Sequence, residues 1–156
     1  MIYLDTSVAL AWLLAEDRHP PESLWSETLV ASRLLEYELW TRLHARGLGA
    51  SHGDAARQLL GRVAFLELIG EVLGRAKEAF PVPVRTLDAL HLASLHFLLE
   101  QGLPVALASY DARLLDAARA LELPLHPLAA GRIVVSDDFD APLPPELQAG
   151  FDADPA

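Results

Sequence analysis

Short apolar runs alternate with helix-like stretches along this chain, and the alternation limits the fold more than any other feature. Residues 2–4, 29–31 and 104–109 read as strands, and each is followed by a segment with helical character. Strands separated by helices pair in parallel, and a parallel sheet needs helices on both faces. The sequence therefore predicts an α/β fold built on a central parallel sheet.

The element boundaries follow from capping and breaking residues. Thr6 and Ser7, Ser32 and Thr86 are expected to cap helices, because short hydroxyl side chains accept bonds from free amides at helix starts. The predicted helices cover residues 8–15, 22–28, 33–46, 51–62, 70–80, 86–101 and 111–121. Residues 65–68 and 124–127 are expected to add short strands.

The chain divides at about residue 130. Residues 1–130 carry the alternating pattern, and hydrophobic residues make up 52% of the whole chain, enough for one core. Residues 131–156 hold four of the eleven prolines and one arginine against six acidic side chains. We predict one domain over 1–130 and an acidic extension over 131–156, with an edge strand at 133–135 followed by a loose tail.

Composition excludes several classes of site. The chain has no cysteine, which rules out disulfide scaffolds, thiolate catalysis and cysteine-ligated metals. No signal peptide or membrane-spanning run is visible, so a cytoplasmic protein is expected.

The net charge of −10 gives no long-range attraction for nucleic acid. A polyanionic substrate would need a cation or a local arginine cluster. The candidates for phosphate contacts are Arg33, Arg42, Arg46, Arg85 and Arg113.

Two aspartates are placed where ligands bind in parallel sheets, and a third begins a predicted helix. Asp5 ends the first predicted strand and Asp111 follows the last, and such positions meet at one edge of a sheet. Each could equally be a simple helix cap. Asp88 lies four residues before Leu92, at the head of an apolar helical stripe, and a carboxylate there needs a partner. A first-turn acid that complements the helix dipole is the competing interpretation.

The sequence pattern alone does not decide between two glutamates on the predicted helix over residues 33–46. Glu36 and Glu38 point about 200° apart, so they cannot serve one site together. Apolar residues surround this helix almost completely, and periodicity does not choose between the two. Carboxylates gathered without cysteine would suit Mg²⁺ or Mn²⁺, which prefer hard oxygen ligands.

Four segments together resemble a PIN domain, most closely a VapC-type toxin ribonuclease of a bacterial toxin–antitoxin pair. They are residues 2–7, 31–39, 85–93 and 108–111, and their order and spacing match over residues 1–128. The resemblance implies a three-layer α/β/α sandwich with a central parallel sheet of four to five strands.

The same resemblance implies a Mg²⁺-dependent endoribonuclease, with Asp5, Glu38, Asp88 and Asp111 as metal-holding acids. It selects Glu38 over Glu36. Thr6 or Ser109 would orient one of these carboxylates by a hydrogen bond, without binding the metal itself. Family toxins act on RNA, pair with a cognate antitoxin and commonly form homodimers. Metal-activated water would attack the phosphodiester, with no side-chain nucleophile.

Two alternatives stay open. A phosphatase with an aspartyl nucleophile would use Asp5, although Ser7 stands where such enzymes usually carry a second aspartate. A receiver-like or PIN-like module would bind metal without turnover. His91, one helical turn after Asp88, is interpreted as a hydrogen-bonded core histidine rather than a general base.

Overall fold

A computed structural model describes residues 1–15 and 18–130. Within these residues the central sheet has four parallel strands. The strands are β1 (Ile2–Leu4), β2 (Leu29–Ser32), β3 (Val63–Leu66) and β4 (Ala106–Ala108), in the order β3-β2-β1-β4. The predicted α/β class and parallel sheet are confirmed. The predicted edge strand at 133–135 and the tail after it lie outside the described residues.

Helices cover both faces of the sheet. They are α1 (Thr6–Leu13), α2 (Leu34–Ala45), α3 (Gly49–Leu60), α4 (Gly70–Ala76), α5 (Thr86–Glu100) and α6 (Ala112–Ala120), with 3₁₀ turns at Glu22–Ser26 and Pro127–Ala130. Side chains alternate across β1, so Ile2 and Leu4 join a core with α1, α2 and α3. Tyr3 joins a second core with α5 and α6. This is the three-layer sandwich.

The strand register brings the carboxyl ends together. Leu4 pairs with Ala108, so Asp5 and Ser109 each lie one residue beyond the same rung. Ser32 closes β2 beside them and pairs with Leu66 of β3. Residues that follow these strands therefore share one rim, where open parallel sheets bind ligands.

Several predicted caps were wrong. Helix α1 begins at Thr6 with Asp5 as its N-cap, so Thr6 and Ser7 lie inside the first turn. Ser32 is held in the β2 ladder, and α2 begins two residues later. Thr86 is the first residue of α5 rather than its cap.

Other boundaries shifted by a few residues. Helix α4 ends at Ala76, short of the prolines at 81 and 83, and β3 covers Val63–Leu66 rather than 65–68. Residues 124–127 contribute a single bridge, Leu107 to Leu125, because the flanking prolines have no N–H to extend the pairing. No described helix is both long enough and apolar enough to traverse a bilayer.

Candidate active site at the carboxyl end of the sheet

Asp5 is buried and firmly held at the end of β1. Its Oδ2 accepts hydrogen bonds from the Ser7 backbone N–H at 3.1 Å, from the Ser7 hydroxyl, and from the Ser109 hydroxyl at 2.8 Å. The residue is only 6% exposed. Because all three bonds converge on Oδ2, Oδ1 takes no part in them.

The two serines connect β1 to the segment after β4. The Tyr110 N–H donates to the Ser7 hydroxyl at 2.9 Å, and the Asp111 N–H donates to the Ser109 hydroxyl at 2.9 Å. Asp5 and the backbone of Asp111 are therefore linked through a single side chain. The sequence predicts only a capping role for Ser7. Its contact with Tyr110, 103 residues later in the chain, arises because β1 pairs with β4.

Asp111 is the N-cap of α6. Its Oδ1 accepts from the N–H groups of Arg113 at 2.8 Å and Leu114 at 3.2 Å. The cap and the rim position are therefore compatible, because the capping bonds occupy only Oδ1.

Glu38, and not Glu36, faces the rim. Its Oε2 accepts from the Thr6 hydroxyl at 2.6 Å and lies 2.9 Å from His91 Nε2. The Glu38 side chain is 17% exposed, whereas the Glu36 side chain is 41% exposed and forms an ion pair with Arg33. Tertiary packing thus separates two glutamates that periodicity could not.

Asp88 shares an electrostatic environment with the other aspartates. Burial raises its pKa to about 6, and repulsion by Asp111 and Asp5 adds to the effect, against the opposing charges of Arg85 and His91. Burial also raises the pKa of Asp5, with repulsion by Glu38 contributing. Asp88 is therefore within electrostatic range of Asp5 and Asp111, and Asp5 is within range of Glu38.

Glu38 keeps its charge in this acidic surrounding. Burial alone would raise the pKa of Glu38, but the hydrogen bond and charge of His91, the Thr6 hydroxyl and the charge of Arg42 bring it below its ordinary value. Glu38 is therefore ionised beside aspartates whose raised pKa values disfavour their charged form, and an ionised carboxylate there can bind a cation.

The donor set suits a hard divalent ion. Among the described residues, no three Asp, Glu or His side chains are close enough to hold one ion jointly. Mg²⁺ usually takes one or two protein carboxylates and completes its shell with water and substrate phosphates. Asp5, Glu38 and Asp111 each have one oxygen held by hydrogen bonds, and the other oxygen takes no part in those bonds.

The sequence did not reveal the role of Tyr3 beside the site. His91 is 3% exposed, as expected of a core histidine, and it joins the Tyr3 hydroxyl to Glu38. No sequence pattern pointed to Tyr3. For His91 a signal was available, because the three-residue step from Asp88 to His91 places both side chains on one side of α5.

The five candidate arginines belong to three elements: three lie on or beside α2, one precedes α5 and one is in α6. Arg33 is bound to Glu67 at 2.7 Å and to Glu36 at 3.0 Å, and it stacks on the ring of Phe65. Arg42 and Arg85 act on Glu38 and Asp88. Arg46 caps the far end of α2, and Arg113 lies in the first turn of α6. Arg42, Arg46, Arg85 and Arg113 all have interaction partners in the protein.

Comparison with known proteins identifies the family. The PIN domain model matches residues 2–121. Two Mycobacterium tuberculosis proteins, Ribonuclease VapC47 and Ribonuclease VapC46, are each 32% identical to this chain; the matches cover 76% and 77% of this chain and 90% and 92% of the relatives. The crystal structure of Mycobacterium tuberculosis VapC20, a Sarcin-Ricin loop cleaving toxin, superimposes with a TM-score of 0.58 at 22% identity, covering 75% of this chain and 95% of that one. The chain therefore belongs to the PIN-domain family and to its VapC-type ribonucleases.

Proposed function

We propose that this protein is a Mg²⁺-dependent endoribonuclease and the toxin of a bacterial toxin–antitoxin pair, with Mn²⁺ able to replace Mg²⁺. The observation that carries the proposal is the meeting of two acids from distant parts of the chain at one end of the sheet: the Ser109 hydroxyl donates to Asp5 Oδ2 and accepts from the Asp111 N–H. The raised pKa of Asp88, to which repulsion by both contributes, supports it. Carboxylates that repel one another favour the binding of a divalent cation. The ribonuclease names of the relatives support RNA as the substrate.

Each of the four acids has a defined part in the proposed metal site. Asp5 is oriented by Ser7 and Ser109, and Glu38 by Thr6 and His91, so both carboxylates are presented in a fixed direction. Asp88 and Asp111 complete the acidic rim. A bound Mg²⁺ would supply the charge that polarises a water molecule and a phosphate oxygen for hydrolysis. No side chain is required as the nucleophile.

The proposal includes the partners that accompany this class of toxin. We propose a cytoplasmic protein that binds RNA, a cognate antitoxin and a second copy of itself. Arg33, Arg42, Arg46, Arg85 and Arg113 are proposed for phosphate contacts, and the charges of Arg42 and Arg85 act on the acids Glu38 and Asp88.

The test is cleavage of a mixed cellular RNA pool across a titration of Mg²⁺ and of Mn²⁺. We expect cleavage to require the metal, to stop in EDTA, and to be lost in Asp5→Asn. Asp116→Asn is the matched control, because Asp116 is an exposed aspartate of α6 paired with Arg119 away from the rim. Cleavage that persists in EDTA, or an Asp5→Asn variant that retains the parent rate, would refute the proposal.

The contacts of Asp5 and the same metal and RNA assays also distinguish the two alternative functions. An aspartyl phosphatase is disfavoured because position 7 carries a serine whose hydroxyl donates to Asp5. A metal-binding module without turnover would bind Mn²⁺ with the same dependence on Asp5 and leave the RNA intact.

A further inference from the structure

We infer that Tyr3 and His91 form a buried positioning pair that orients Glu38 toward the metal. The inference rests on the proposed function, because it assigns these two residues a task at the same site. Both residues are buried and reach the site only through Glu38, so they are positioning residues rather than catalytic ones.

The pair is a continuous path through the protein interior. The Tyr3 hydroxyl lies 3.0 Å from His91 Nδ1, and His91 Nε2 lies 2.9 Å from Glu38 Oε2. Tyr3 is fully buried and His91 is 3% exposed, and their rings meet edge to face at 6.0 Å. The path thus joins strand β1 to helix α5 and ends on helix α2.

A backbone group anchors the Tyr3 hydroxyl. The Ser32 N–H donates to the hydroxyl oxygen at 3.2 Å. When the imidazole is neutral, the Tyr3 hydroxyl donates to His91 Nδ1; when it is protonated, Nδ1–H donates to the hydroxyl oxygen. In both forms Nε2–H donates to Glu38 Oε2.

The ring cannot turn without loss. Rotation would break the bonds of His91 to the Tyr3 hydroxyl and to Glu38 Oε2. It would leave these atoms with Ser32 and Thr6 as their other partners. Strand β2 therefore holds Tyr3, Tyr3 holds His91, and His91 holds Glu38.

The consequence for Glu38 is a fixed carboxylate. Its Oε2 is held from two sides, by His91 and by the Thr6 hydroxyl at 2.6 Å, and Oε1 takes no part in either bond. A glutamate normally loses considerable rotamer freedom on binding a ligand. Because this one is already ordered, binding would cost less, as in sites whose ligands are oriented by outer hydrogen bonds.

The test compares Mn²⁺ affinity in full-length variants by isothermal titration calorimetry. His91→Leu removes both nitrogens, and His91→Gln restores a donor near the Nε2 position. Tyr3→Phe removes one oxygen and keeps the ring, so it tests the path even if His91→Leu folds poorly. Ser94→Ala is the matched control, because Ser94 is a fully buried polar residue of α5 whose hydroxyl donates to the Leu90 carbonyl of its own helix.

We expect His91→Leu to weaken Mn²⁺ binding about 10–100-fold, the loss typical of removing an outer-shell partner. Tyr3→Phe should weaken binding less, and His91→Gln should recover most of the affinity. Ser94→Ala should bind as the parent does.

The outcomes separate this inference from the proposed function. A parent protein that binds no Mn²⁺ overturns both. A parent that binds, with His91→Leu and Tyr3→Phe equal to it, overturns the positioning role alone. A His91→Gln variant as weak as His91→Leu would show that the imidazole acts through its shape and not its donor, and this also overturns the inference.

Discussion

Asp88 is expected to reduce the stability of the metal-free protein. Its pKa rises from the ordinary 3.8 to about 6, chiefly through burial and then through repulsion by Asp111 and Asp5. A carboxyl whose pKa is raised by folding binds its proton more tightly in the native state. The contribution of Asp88 to the free energy of unfolding must therefore fall as the pH rises from about 4 to about 6, and it stays lower above that range. Asp88→Asn removes the charge and keeps the shape, so it should abolish this loss.

The size of the effect follows from the pKa difference. The two values differ by about two pH units, and each unit is worth about 1.4 kcal/mol, which gives an upper limit of about 3 kcal/mol. Asp88 is only partly buried, and solvent screening reduces such interactions. We therefore expect Asp88→Asn to raise the free energy of unfolding by about 1.5 kcal/mol at pH 8.

The assay is urea denaturation in EDTA at pH 8 and at pH 4. The variant should be more stable at pH 8, and its advantage should largely disappear at pH 4, where the parent carboxyl is protonated. Saturating Mg²⁺ should reverse the order, because only the parent gains the full binding energy of the ion. Asp116→Asn should change stability by less than about 0.5 kcal/mol. An Asp88→Asn variant equal to or weaker than its parent at pH 8 in EDTA would refute the reasoning.

Three further results are expected. Glu38→Gln should lower RNA cleavage by more than the about 10–100-fold that is typical of losing an outer-shell partner, while Glu36→Gln stays near the parent rate; the opposite ranking would overturn the choice of Glu38. Leu35→Ala should cost about 2–5 kcal/mol in urea unfolding because Leu35 is fully buried, and a loss no larger than that of Leu73→Ala at an exposed position would contradict the described core. Deleting residues 137–156 should leave the melting temperature nearly unchanged, since both described cores close within residues 2–128; a large fall would assign the tail a structural role.

Much of the fold could be predicted because its signals are local. The apolar runs at β1, β2 and β4 are short and bounded by polar or breaking residues, and the helices between them force parallel pairing. The caps were harder to predict, because Asp5, Thr6 and Ser7 are all good N-cap residues in sequence. Only the end of β1 selects Asp5, since strand pairing holds the chain extended up to that point.

The sequence by itself determined the α/β architecture and the positions of Asp5 and Asp111 at strand ends, because strand pattern and chain order decide which side of a parallel sheet collects its carboxyl termini. Helical periodicity does not separate Glu36 from Glu38; the motif resemblance selected Glu38, and only the tertiary structure decided how its carboxylate is held. Glu36 and Glu38 have similar neighbours along the chain, and the difference arises when α1 and α5 bring Thr6 and His91 against one of them. Hydrogen bonds between residues 32 and 53 positions apart depend on how helices pack, and no local pattern encodes that packing.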